Sequence, residues 1–306
     1  MRRKIFLAVM AAAILFTACG KKPAEDKAAK EKQETTQTEE AKDDASEESK
    51  DTEDKETDEK QDENTSEEGF DTDAEVKTIQ KKLADIQSSA TSIQEEMKKV
   101  ADFAKDYEAY TKEDAPQAEL NALSFLPEAL WKAEASSLWD RYKKDASSSE
   151  KKNYERWNTY KDSVLETQLA AYKEGTIYGM LYNSTDALFY QHQATYLASL
   201  LAGSKKENFE LPDRELYGSY TDNDGKSMLL IQPSMESGYD GIFRLDKNTS
   251  FEGSVEKAGE DYIFTSYDGK LTGTLSLQWF GAAFTVSESK TNALHDGEVY
   301  EFSIVY

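Results

Sequence analysis

One cysteine, Cys19, and two histidines, His192 and His295, are scattered through 306 residues. A lone cysteine excludes an internal disulfide and any site built on several thiolates. Neither histidine has a second one three or four residues away, so the spacing of a helical metal site is missing too. No Gly-x-Ser-x-Gly elbow occurs, and no glycine-rich phosphate loop followed by Lys and Ser or Thr. Basic excess is also lacking. With 37 Lys and Arg against 60 Asp and Glu, the net charge of −23 repels nucleic-acid phosphates. The many carboxylates make a hydrolase with paired acids a reading to consider, but no neighbours mark any two of them as a pair. The pattern assigns no catalytic residue, metal ligand or cofactor, and favours a binding protein over an enzyme.

What is present begins with a charged start. Arg2, Arg3 and Lys4 precede an apolar run, Ile5 to Phe16, too short to span a bilayer as a helix of ~20 residues. Small residues Thr17 and Ala18 then lead to Cys19, the pattern of a cleaved export signal over residues 1–18. A cleavage site directly before a cysteine resembles the lipobox of bacterial lipoproteins, with Phe16 where leucine is usual. The resemblance implies lipidation of Cys19 and an extracytoplasmic protein held to a bacterial membrane. The alternative is an ordinary secretory signal with a chance cysteine. Two or more acyl chains, at ~0.8 kcal/mol per buried CH2, make a stable anchor where one does not.

Residues 19–75 hold almost no hydrophobic side chain larger than alanine before Phe70; from Lys21 to Glu75 there are 9 basic and 23 acidic residues. Such a chain cannot bury enough apolar area to offset its ordering entropy and is expected to be disordered. As a tether of about 55 residues it spans ~40 Å, longer with self-repulsion. It serves as a spacer or as an acidic interaction tail. Residues 76–306 carry 25 basic and 37 acidic residues, a net of −12.

From Val76 a three-and-four spacing runs through Ile79, Leu83, Ile86, Ala90, Ile93, Met97, Val100, Ala104 and Tyr107, which predicts one long amphipathic helix ending before Asp114-Ala115-Pro116. Its apolar stripe either packs within the chain or forms a homodimeric coiled coil over 76–107. A second helix is expected from Pro127, with Leu130, Trp131, Ala135, Leu138 and Tyr142 inward. A third follows the N-capping serines 147–149 and carries Tyr154, Trp157, Lys161, Val164, Leu165, Leu169 and Tyr172. Gly175 reads as its terminal glycine and Thr176 as the N-cap of a fourth, closed by Gly203. Together, 76–205 predicts an antiparallel helical bundle.

Residues 209–306 read as β. Eight short segments rich in β-branched and aromatic residues alternate with turns containing Gly, Asn or Asp. They predict an antiparallel meander, closed as a small barrel or curved over a core. Asp222-Asn223-Asp224-Gly225 mimics the start of a calcium loop but lacks the spaced Glu, so it reads as a hairpin turn. Trp279 and Phe280 are either core or the rim of a ligand mouth. The fold class is α+β in separate modules, helices first.

The run LWDRYKK…NYERWNTYKDSVLETQLAAYKEGTIYGMLYNSTDALFYQHQATYLASLL resembles the LprI-type lysozyme-inhibitor domain, a helical module of bacterial envelope proteins, over about 75 residues. Leu138 and Tyr142 match its first motif helix, with Trp139 in place of asparagine. Trp157, Tyr160, Lys161 and Asp162 match the second, with lysine for arginine. Gly175 and Thr176 match its corner, and Ala194 and Leu197 its last helix, where Gln193 replaces arginine. The family's cysteine pairs are absent. The resemblance implies binding to a lysozyme or similar muramidase. The alternative function is an extracytoplasmic ligand- or glycan-binding, or scaffold, lipoprotein with a lipocalin-like β module.

Overall fold

Asp71 caps the first helix, its Oδ1 accepting from the N–H of Ala74 at 3.0 Å. The computed structural model describes residues 71–108, 117–213, 217–234 and 238–306. The export signal, Cys19, nearly all of the acidic stretch and Asp114-Ala115-Pro116 lie outside them.

The expected single helix is two: α1, Thr72–Ser89, and α2, Ile93–Glu108. The heptad continues across the break because Ile86 and Ile93 stand seven apart, which hides it in the periodicity. Local hydrogen bonds decide otherwise. Ala90 is extended, Ser92 Oγ accepts from Glu95 N–H, and Glu95 reaches back to Thr91 N–H, a start signal of the capping-box kind. Glu207 adds a carboxylate on Ile93 N–H at 2.8 Å. The stripe from Ile79 to Tyr107 is buried within the chain, against α3 and α5.

Helix α3 runs Gln117–Tyr142 and contains Pro127 in its interior rather than at its first turn. A proline there forfeits one backbone bond and costs ~3 kcal/mol. Leu123, Leu126, Leu130, Trp131 and Leu138, all buried, supply packing that outweighs it. Helix α4, Ser148–Gln168, starts at a full capping box between Ser147 and Glu150. It ends before Gly175: a 3-10 turn, Ala170–Tyr172, follows, which leaves Tyr172 50% exposed instead of in the core. Helix α5, Tyr178–Lys205, is preceded by Ile177 as N-cap, with no side-chain cap bond. Thr176 therefore does not cap it, and Gly175 is not among the positive-φ residues. The helix passes Gly203 to end at Lys206, which takes the left-handed conformation. Helix α5 is the central one, packed most extensively along α3 and also touching α2, α4 and the last strand.

Nine strands follow: β1 Gly218–Thr221, β2 Met228–Pro233, β3 Tyr239–Asp246, β4 Thr249–Ala258, β5 Asp261–Ser266, β6 Leu271–Gln278, β7 Gly281–Ser289, β8 Val299–Phe302 and β9 Ile304–Val305. Each pairs antiparallel with its sequence neighbour from β1 to β8. The eighth expected segment is split at Ser303: β8 pairs with β7, while β9 pairs with β1. One bent terminal stretch thus joins both edges, and the sheet is a nearly closed barrel. Its interior is filled by Phe243, Phe264, Phe284 and Phe302 with Leu229 and Leu275. Gly273 makes room: a Cβ there would stand 2.2 Å from the Phe284 ring.

The Met228-Leu229-Leu230-Ile231 run is buried on both faces. Leu229 and Ile231 point into the barrel, whereas Met228 and Leu230 join the helical core together with Ile304 and Tyr306. Helices and sheet are thus separate along the chain but share a core, and the described residues fall in one compact unit.

Candidate functional site

Outside the barrel, where α4 and α5 meet the sheet, lies a cleft of about 220 Å³. Helix α4 contributes Asn153 and Trp157, four residues apart and so on one face. Trp157 is held by its indole N–H donating to the Val305 carbonyl at 3.0 Å and by stacking on Tyr306. Helix α5 contributes His192, Gln193 and Tyr196. The β6–β7 turn brings Trp279 and Phe280, and the β8–β9 bend brings Ser303. Trp279 donates to the Pro212 carbonyl at 3.0 Å and stands edge-on to His192, 5.9 Å between centroids. Phe280 packs on Tyr196 at 5.0 Å. Trp279 and Phe280 therefore are not part of the barrel core; they wall a cleft against α4 and α5.

Gln193 is only 4% exposed, yet among the described residues its amide makes no hydrogen bond, and it opens onto this cleft. Its amide atoms are not among the fully buried groups left without a partner, so they meet whatever fills the cleft. Asn153 and Ser303 also line the cleft without a side-chain partner. The sequence singled out Gln193 only as a substitution in a motif, and Asn153 and Ser303 not at all. Their one signal is that the chain brings amides beside tryptophans, which only the fold juxtaposes.

Of the matching motif residues only Trp157 lines the cleft, and the others do not converge on a site. Leu138, Tyr142, Trp157, Ala194 and Leu197 are buried packing residues. Tyr160 lies against Gly225 of the β1–β2 turn, where a Cβ would come within 2.8 Å of its ring. That turn is a hairpin as expected, Asp222 accepting from Asp224, Lys226 and Ser227 N–H. Gly175 and Thr176 are exposed. Lys161 is more than a surface partner of Asp162, to which it is bonded at 2.8 Å; it is buried and bonded to Asp186 at 2.6 Å. Burial opposes the Lys161 charge, but the Asp162 and Asp186 bonds outweigh it and raise its pKa. Burial pushes Asp186 up, Lys161 opposing, and Glu128 nearby is raised by burial and then by Asp186. This cluster ties α3, α4 and α5 together.

A second buried cluster joins α1, α2 and α3. Arg141 donates to Glu96 at 2.9 Å and lies 3.8 Å from Glu134. Gln87 donates to Glu134 at 3.0 Å. Burial first, and then Glu96, push the Glu134 carboxyl up to about 8.

Among the described residues no group of three or more His, Cys, Asp or Glu could hold a metal ion, and no helix is long and apolar enough to cross a membrane. Comparison with protein-family models, curated proteins and solved structures returned no match.

Proposed function

We propose that the chain is a lipid-anchored binding protein of a bacterial envelope, lipidated at Cys19, whose acidic folded part captures a basic muramidase of the c-type lysozyme kind and blocks it by contact alone. The observation that carries this reading is where the charge lies. Residues 217–306, the barrel, hold 14 acidic residues against 6 basic ones, two thirds of the folded part's net −12. Glu252 and Glu256 stand exposed along β4. A surface of one sign steers an oppositely charged protein toward it. The motif resemblance in α3–α5 agrees, though its matching residues act in packing.

The test is a titration of the chain, with Cys19→Ser to keep it soluble, against a basic c-type lysozyme while cell-wall lysis is followed. Binding that persists at ~0.15 M salt and slows lysis supports the proposal. Binding lost at that salt is charge attraction without a fitted interface and overturns it, as does no binding.

A second reading, ligand binding, is favoured by the cleft. The lipocalin-like form of that reading places the ligand inside the barrel, but the phenylalanines occupy that space. The cleft beside α4 and α5 takes its place.

A further inference from the structure

We propose that the helix–barrel cleft is a carbohydrate subsite that takes one neutral sugar ring of a glycan. The inference rests on the ligand-binding reading above and is independent of whether a muramidase binds.

Three features define the occupant. The first is size. About 220 Å³ lies below the ~300 Å³ at which pockets for drug-sized molecules begin, and suits one six-membered ring with its substituents. The second is the walls. Trp157, Trp279 and Phe280 present aromatic surface to the cleft. Aromatic faces carry partial negative charge and attract the weakly positive C–H groups on the flat side of a sugar ring. The third is the polar set. Gln193, Asn153 and Ser303 are amides and a hydroxyl with no side-chain partner among the described residues. An amide offers two donors and an acceptor, and a hydroxyl offers both roles. Sugar hydroxyls, which also donate and accept, satisfy all three.

Gln193 carries most of the argument. The residue as a whole is 96% buried, as the 4% exposure means, and what its amide reaches is the cleft, so whatever fills the cleft completes its hydrogen bonds. A sugar hydroxyl, which both donates and accepts, suits that amide. Charge narrows the class further. No residue lining the cleft is Lys, Arg, Asp or Glu, and the protein around it is acidic. A uronic or sialic acid would find no cation and a repulsive field. A hexose or N-acetylhexosamine meets neither problem.

The alternative occupant of an aromatic, amide-lined cleft is a tyrosine or tryptophan side chain of a protein. It would use the walls but could satisfy at most one or two of the polar groups. The experiment separates them. Two of the four tryptophans, Trp157 and Trp279, line the cleft, so tryptophan emission of the full chain in detergent reports on it. The probes are neutral trisaccharides of glucose, galactose, mannose and N-acetylglucosamine, a trisaccharide of glucuronic acid, and indole-3-acetamide as surrogate for an aromatic side chain.

The expected result is a saturable change with at least one neutral trisaccharide and none with the acidic one. Gln193→Leu weakens that binding by at least about tenfold without lowering the melting temperature, and Asn153→Ala, on the rim, weakens it without touching the core. The proposal is overturned if no neutral trisaccharide gives a saturable change, or if the acidic one binds as well. Unchanged affinity in both variants, or saturation by indole-3-acetamide alone, also overturns it. Loss of sugar binding with lysozyme binding intact removes this inference and leaves the muramidase reading standing; the opposite pattern does the reverse.

Discussion

Replacing Glu134 by glutamine should remove most of a pH-dependent weakness built into the α1–α2–α3 core. Glu134 is fully buried, its Oε1 has no hydrogen-bond partner, and Glu96 lies close enough to oppose its ionisation. Its carboxyl therefore keeps a proton up to about pH 8 in the folded protein, while in the unfolded chain it loses that proton near pH ~4.3. Between those values the folded state binds more protons, so stability falls as pH rises. The contribution is full below the unfolded pKa, declines through the window and stays lowered above about 8. At ~1.4 kcal/mol per pKa unit the whole interval corresponds to roughly 5 kcal/mol, an upper bound because Glu96 and Arg141 share the titration. Glutamine keeps the shape, accepts from Gln87 and donates to Glu96, with nothing to ionise. For a folded part of this size ~1 kcal/mol moves the melting temperature by about 2–4 °C. Calorimetry of both proteins at pH 5 and pH 8 should show Glu134→Gln gaining at least ~5 °C relative to wild type as pH rises. Surface carboxylates titrate alike in the two and cancel in the difference. Parallel melting curves across that range would refute the assignment of a proton to Glu134.

Lys161→Met should destabilise by about 3–5 kcal/mol in urea melts, because Asp186 is left as an uncompensated buried charge, and Lys161→Met with Asp186→Leu should recover most of that loss; no recovery would mean the two do not act as a pair. Gly175→Ala should lower the melting temperature only slightly, since no positive φ is required there and its Cβ would press only on the Tyr172 carbonyl at 3.2 Å, whereas Gly273→Ala should prevent barrel closure because its Cβ would overlap Phe284; the reverse order would place the strain in the wrong corner. Ser147→Ala should cost about 1 kcal/mol by opening the capping box with Glu150, read as a lower urea midpoint with an unchanged slope. Cys19→Ser should abolish incorporation of radiolabelled palmitate and release the chain from membranes; continued membrane retention would count against the anchor.

The α+β order, the meander and most buried positions were legible because they rest on local periodicity. A residue spacing of three and four names the inward face of α4, and alternation names the barrel's, whatever those faces meet. An N-cap among serines 147–149 was legible for the same reason, since a cap acts within one turn, while the box with Glu150 came from the structure. Legibility ended where a local rule met a stronger distant contact. Pro127 marks a helix start in isolation, yet the leucines on both sides of it pack against α5 and carry the helix through. The break at residues 90–92 hid behind an unbroken heptad. Gly175 and Thr176 have the residue types of a terminus, but α4 ends seven residues before the glycine.

Charge and composition are properties of the chain as written, so the acidity behind the muramidase reading needs no coordinates. The sites are otherwise. The Lys161–Asp186 bond joins positions 25 residues apart, and Glu96 meets Arg141 across 45. Gln193 stands beside Trp279 only because α5 is pressed against the barrel wall. Ser303 reaches the same cleft only because the last strand bends to join both edges of the sheet. Spacing along a helix or strand is set by backbone geometry, which repeats every few residues and can be read from order alone. Which distant side chains become neighbours is set by how whole faces bury one another, and that is decided when the helices close over the outside of the barrel.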